Sequence, residues 1–291
     1  MKFGIVFANS GPFSHPEAAL GMAQAAEKAG FESIWTVEHV VVPEGYESSY
    51  PYDNSGRMPG KDSTPIPDPL VWLSFLASAT TRIHLATGIL IVPQRNPLVL
   101  AKEIATLDYL SQGRFHLGLG IGWLAEEFAA IGVPFGERAA LADEYVAAMR
   151  ELWENRSASF HGATVNFDNC ICSPRPAQAR IPVTIGGHTE AAARRAGRLG
   201  AGLFPAKGSH DELRRLHRLA QHTAEESGVD PSTVELTSGG YGVFGKDNLD
   251  EVDKLRELGV ERIVVPSFLF FNNPAESLEQ FGQEVISAAR D

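Results

Sequence analysis

Several strand-like runs in this sequence end on residues that can do chemistry. SIWTVEH (33–39) closes on Glu38-His39, a carboxylate beside the one side chain that ordinarily gives and takes protons near neutral pH. A second run closes on Gly186-Gly187-His188-Thr189 and opens directly into the helical stretch TEAAARRAG. Backbone N–H groups at such a turn, together with the helix N-terminus, form an anion site, and Thr189 is placed to cap the helix. A third run, GRFHLGLGIGWL (113–124), carries Gly118, Gly120 and Gly122. Their spacing is G-x-G-x-G, whereas a dinucleotide loop needs G-x-G-x-x-G, and bulky Trp123 stands where the last glycine would be. The nine histidines show no ligand spacing, and Cys170 and Cys172 have no further ligands near them. The sequence therefore predicts no metal and two plain thiols.

These ends need elements to position them. Strand-like runs at 2–9, 33–39, 82–92, 114–121, 182–186, 202–205, 234–244 and 262–268 are each trailed by helical periodicity. The helical stretches are 15–30, 68–80, 96–113, 123–131 with 137–154, 189–199, 210–228, 248–259 and 274–290. Eight βα units without a linker predict one α/β domain over residues 1–291, a (β/α)8 TIM barrel, a fold of about 250 residues plus insertions. In that fold active sites lie at the C-terminal ends of the strands, which is where Glu38-His39, the glycine run and the Gly186–Thr189 turn fall. Two interruptions remain. Residues 40–66, rich in Pro, Gly, Tyr and Ser, form a long loop after strand 2, read as a lid over the mouth. Residues 155–181, containing ASFHGATVNFD, form a hairpin insertion before strand 5. Trp35, Trp72 and Trp153 are expected in the core.

With 44% hydrophobic residues and a net charge of −11, the chain reads as globular and lacks the broad basic face that nucleic acid or an anionic membrane requires. The opening MKFGIVFANSGPF has an apolar run too short for a secretion signal, and no run approaches the roughly 18 apolar residues of a membrane span. The expectation is a cytoplasmic protein whose partner is a small molecule.

The block GRFHLGLGIGWLAEEFAAIGVPFGERAALADEYVAAMRELW resembles the hallmark of the bacterial-luciferase-like flavin and deazaflavin oxidoreductases. SIWTVEHVVVP, TRIHLATGILIVPQRNPLVLAKEIATLDYLSQGRF and IGGHTEAAARRAGRLGAGLFP resemble the same family, most closely its coenzyme F420 branch. The resemblance implies a TIM barrel with the cofactor ring across its mouth, and glycines at 118, 120 and 122 that let ring and backbone approach. It implies a bulge on strand 3 with a non-proline cis peptide at Gly88-Ile89 supporting the ring. It places Glu38-His39 beside the ring, Glu standing where Asp is usual, with His39 as general acid or base and Glu38 hydrogen-bonded to the cofactor. Glu126 would contact the cofactor, Glu127 would be structural, and Gly186, Gly187, His188 and Thr189 would hold its phosphate. Trp123 replaces an acid found in sugar-phosphate-oxidising relatives, which argues against that substrate. Ala201 and Leu203 depart from the family's common Asp and Trp. A homodimer is also implied. The activity expected is hydride transfer between the deazaflavin and an alcohol or an activated double bond. An FMN-dependent monooxygenase and a non-catalytic flavin-binding protein stay open as alternatives.

Overall fold

The computed structural model describes residues 1–240, 242, 243, 245 and 249–290. The first half contains β1 (Lys2–Val6), α1 (Pro16–Ala29), β2 (Ser33–Thr36), α2 (Pro69–Ala77), β3 (His84–Thr87), β4 (Leu90–Ile91), α3 (Pro97–Leu110), β5 (Phe115–Gly120), α4 (Ala125–Ala130) and α5 (Arg138–Glu154). There follow β6 (Ala158–His161), β7 (Asn166–Cys170), β8 (Val183–Gly186), α6 (Glu190–Leu199), β9 (Gly202–Phe204), α7 (His210–Glu226), β10 (Leu236–Gly239), α8 (Leu249–Glu257), β11 (Val260–Pro266) and α9 (Pro274–Phe281).

Pairing closes these strands into a parallel (β/α)8 barrel, as the alternating pattern predicts. β1 lies between β2 and β11, with Gly4 opposite Ser33 and Lys2 opposite Arg262. The sheet runs on through β10, β9 and β8 to β5, which closes on β3. The single run expected over 82–92 is two strands, β3 and β4, both paired with β5 and separated by a cis Gly88–Ile89 peptide. β6 and β7 form the antiparallel hairpin expected before the fifth barrel strand. The expected 234–244 run is a strand only over Leu236–Gly239, and its residues 241 and 244, like residue 248 of the expected 248–259 helix, lie outside the described ones. The helix expected through 290 leaves α-geometry after Phe281 for a π turn over Gly282–Ile286.

Local signals set the helix ends. Pro16 starts α1, and Gly30, in the left-handed region, stops it. Asn96 and Asp68 cap α3 and α2 through their side-chain oxygens. The main core lies between barrel and helices and takes up Trp72 and Trp153. Inside the barrel a smaller cluster of Val6, Trp35, Ala86, Phe204 and Val264 forms a plug. His116 packs against Trp35 with ring centroids 5.1 Å apart, and its Nε2 meets the Thr184 hydroxyl at 2.7 Å. Below, at the N-terminal ends of the strands, Arg262 bridges Glu32 at 3.0 Å and Glu235 at 2.6 Å. Among the described residues no helix is long and apolar enough to cross a membrane.

This interior carries a pH signature. Burial, reinforced by Arg262, drops the His116 pKa from 6.5 to about 3, so the folded protein refuses a proton that the unfolded chain accepts. Burial pushes Glu32 up, but its ion pair with Arg262 prevails and brings it from 4.5 down to about 2. Both depressed values cost stability as pH falls, His116 from 6.5 toward 3 and Glu32 from 4.5 toward 2. Between pH 6.5 and 4.5 only His116 of this pair acts, with a limiting slope of about 1.4 kcal/mol per pH unit. Urea denaturation of His116→Gln over that window is expected to show a shallower pH dependence than the native chain. Parallel curves would show that His116 takes up its proton in both states.

Candidate active site

The mouth is organised by the bulge between β3 and β4. A side chain at Gly118 would put its Cβ 1.8 Å from the Thr87 carbonyl oxygen, and Thr87 Oγ1 donates to the Gly118 carbonyl at 2.6 Å. Strand β5 thus runs against the bulge at a distance only glycine tolerates. Ile89 projects between two further glycines. A Cβ at Gly120 would lie 2.5 Å from Ile89 Cδ1, and one at Gly186 would lie 2.5 Å from Ile89 Cγ2. Gly122 has φ +81° and would crowd Phe128 and Ile91. These glycines are required by the protein's own packing, with Ile89 seated among them, rather than by empty room left for a ring. The cis Gly88–Ile89 bond is where the resemblance implies it.

His39 follows β2, and its Nδ1 lies 3.0 Å from Glu127 Oε2. The other Glu127 oxygen accepts from the backbone N–H groups of Val40 at 2.6 Å and Val41 at 3.3 Å. Backbone donors fill Oε1, which leaves Oε2 to accept from the His39 Nδ1–H, and in that arrangement Nε2 stays outside the contact. Glu127, read from sequence as structural, is therefore also the partner of His39.

Glu38 is placed otherwise than expected. Its side chain is 1% exposed; one oxygen pairs with the Arg95 guanidinium and the other accepts from Ile91 N–H. A carboxylate so occupied holds the bulge and is not presented to the mouth, which corrects its assignment as a cofactor-contacting or catalytic acid. Arg95 continues to Asp68 at 2.6 Å, and Asp68 caps α2. Burial opposes the Arg95 charge, but Glu38 and Asp68 together raise its pKa. Asn9, fully buried, donates to the carbonyls of Val37 and Pro67, both at 2.9 Å, and accepts from Val37 N–H.

The 40–66 loop contains no helix or strand but is anchored along its length. Glu127 holds its start, and Asn9 reaches Pro67 just past its end. Glu126 pins its centre, accepting from Glu47 N–H at 2.7 Å, Ser48 N–H at 2.9 Å and the Ser48 hydroxyl at 2.6 Å. The Ser48 hydroxyl and these N–H groups hold the Glu126 pKa at about 2, so the latch is charged across the neutral range. The resemblance puts Glu126 on the cofactor, whereas the structure gives its carboxylate to Glu47 and Ser48 of the 40–66 loop. A row of rings runs through the lid: His39 to Trp123 (5.7 Å), Trp123 to Tyr50 (5.1 Å), Tyr50 to Tyr52 (5.4 Å) and Tyr52 to His188 (5.3 Å). Lys207 donates to the Pro51 carbonyl.

At the Gly186–Thr189 turn, Gly187 N–H is already given to the Phe204 carbonyl at 3.0 Å, so the expectation that it holds an anion is corrected. Thr189 caps α6 by accepting from Ala192 N–H at 3.2 Å. Ahead of the first intrahelical bond, from Ala193 N–H to the Thr189 carbonyl, the N–H groups of His188, Thr189, Glu190 and Ala191 are the donors this turn presents. His188 Nδ1 is buried without a partner, and burial lowers the pKa of its ring. The Gln94 amide, on the turn after β4, is also buried and unpaired. Among the described residues no three metal-ligating side chains come together.

The sequence reading missed Asn9, Asp68, Arg95 and Gln94. None belongs to a motif, although Asp68 and Asn96 could have been seen as caps preceding Pro69 and Pro97.

Comparison with known proteins agrees with this architecture. The family model described as luciferase-like monooxygenase matches residues 1–282. An uncharacterised protein of Mycobacterium tuberculosis is 37% identical over 186 residues, which is 64% of this chain and 65% of that one, so the match spans just under two thirds of that relative's length. An F420-dependent glucose-6-phosphate dehydrogenase of Amycolatopsis mediterranei is 31% identical over 68% of this chain and 56% of its own. Among solved structures, an F420-dependent secondary alcohol dehydrogenase in complex with an F420-acetone adduct superposes with a TM-score of 0.80 at 19% identity. That superposition covers 100% of this chain and 99% of that one, and it shows the shared fold.

If Glu126 latches the lid, Glu126→Ala should raise hydrogen exchange at the Glu47 and Ser48 amides by about tenfold or more while the barrel strands keep their protection. Unchanged exchange at both amides would remove the latch.

Proposed function

This chain belongs to the luciferase-like monooxygenase family, and from that premise we propose that it is a coenzyme F420-dependent oxidoreductase acting on a small organic alcohol or an activated double bond. The observation that carries the reading is His39, fixed through Nδ1 by buried Glu127 at the barrel mouth, which leaves Nε2 to exchange a proton. A flavin-type ring fits the residues present. Ile89 offers an apolar seat, packed against Gly120 and Gly186 so closely that no side chain could rise there. The free N–H groups of His188 and Thr189 at the start of α6, with the unpaired His188 Nδ1, suit a phosphate. In this proposal Ile89, Gly88, Gly120, Gly122 and Gly186 shape the ring site, and His188 and Thr189 hold the phosphate. Gly187 provides the turn, Glu126 holds the lid over the site and Glu38 positions the bulge. When bound, the deazaflavin supplies the hydride chemistry. His39 moves the accompanying proton, and the lid keeps water out.

FMN would satisfy the same seat and anion site. The deazaflavin is preferred because a relative at 31% identity is named F420-dependent. A homodimer belongs to the proposal as well: the outer faces of α2 and α3 expose Val71, Phe75, Val99, Tyr109 and Leu110, apolar surface that a second copy would cover.

The test is a parallel absorbance titration of purified protein with F420 and FMN, followed by turnover on alcohols and enones with whichever binds. F420 is expected to bind more tightly and to support turnover; binding of FMN alone would overturn the assignment. His39→Ala should lower turnover by about 10²- to 10⁴-fold while F420 affinity stays within a few fold. Near-native turnover in that variant would move the proton role elsewhere.

A further inference from the structure

The wall beside His39 is aromatic. Trp123 meets three rings edge-on: His39 (5.7 Å, 86°), Tyr46 (5.4 Å, 72°) and Tyr50 (5.1 Å, 69°). Tyr46 is fixed in turn, 3% exposed, with its hydroxyl accepting from Met58 N–H and the Arg57 guanidinium over its ring at 4.6 Å. Two charged groups that touch these rings are engaged by the protein itself. Arg57 donates to the Tyr46 carbonyl, and Glu127 serves His39, Val40 and Val41. Glu126, near in sequence, is committed to Glu47 and Ser48.

The geometry points to Trp123, with Tyr50, as the specificity wall for an uncharged substrate that carries an aromatic or other planar apolar group next to its reacting carbon. This rests on His39 marking the reacting end of the site, as proposed above. Two physical arguments separate this class from a sugar phosphate. A polyol needs a hydrogen-bond partner for each buried hydroxyl, and beyond an indole N–H and a phenol hydroxyl this wall presents apolar ring surface. At this wall the group that would pair with a phosphate, the guanidinium over Tyr46, is already engaged by the lid. A planar apolar group instead gains edge or face contacts with Trp123 and Tyr50, and its burial releases water from both. Trp123 is only partly buried with the lid in place, so it has surface left to give.

Calorimetric titration of the full chain, with and without added F420, tests this using acetophenone and glucose 6-phosphate as probes. Acetophenone is expected to bind and glucose 6-phosphate to show no binding at millimolar concentration. Trp123→Ala should weaken acetophenone about tenfold or more, and Trp123→Phe should restore affinity to within about threefold. The Phe variant guards against a folding defect, since a damaged fold would not be rescued by a smaller ring. Failure of acetophenone to bind under either condition would overturn the inference. So would an unchanged affinity in Trp123→Ala, or glucose 6-phosphate binding at least as tightly as acetophenone. The cofactor reading fails separately: Trp123-dependent acetophenone binding in a protein that takes up no F420 would sink that reading and leave the wall standing.

Discussion

A single buried carboxylate ties the mouth of this barrel together. Glu127, without solvent exposure, receives the His39 ring N–H and the N–H groups of Val40 and Val41. It joins the end of β2, the first residues of the lid and the helix that follows β5. Burying a carboxylate is costly unless its oxygens are filled, and here backbone and imidazole donors fill them. The arrangement therefore defines the His39 tautomer and the course of the lid at once. Removing Glu127 would release both, because no other described side chain contacts all three donors.

The rest of the mouth answers to a second constraint, the interruption between β3 and β4. Thr87 and Ile89 intrude on β5 and β8, and the glycines at 118, 120 and 186 are the accommodation. Glu38 reaches Ile91 N–H from one side and Arg95 from another, and Arg95 passes the connection to Asp68 at the head of α2. Charge here serves shape: a buried ion pair contributes little net stability, but breaking one partner leaves the other uncompensated and expensive. Trp35 lies against Gly88 of the bulge from inside the barrel, and His116 packs on Trp35 in turn.

Much of this was legible in the residues. The eight βα units, the hairpin and the long loop after the second strand follow from periodicity and from Pro and Gly punctuation, signals that local chain physics writes into sequence. The cis bond at Gly88–Ile89 came from resemblance, since nothing in TGIL alone announces it. What sequence could not give was direction. Glu38 and His39 are adjacent, and a strand end can turn either one toward the mouth. Glu126 and Glu127 are likewise adjacent, and only the packing of α4 decides that Glu127 goes inward to His39 and Glu126 goes outward to Ser48. The same limit hid the Gly187 N–H, whose partner Phe204 lies on the next strand. Long-range partners such as Asn9 with Pro67 have no local signature at all.

The site depends on Glu127 holding the His39 ring through Nδ1. Nitrogen-15 NMR of histidine-labelled protein measures this directly, with the His39 signals assigned by comparison with His39→Ala. The neutral form of the ring is expected to carry its proton on Nδ1 in the native chain and to lose that preference in Glu127→Ala. A neutral His39 protonated at Nε2, or a tautomer indifferent to Glu127, would contradict it.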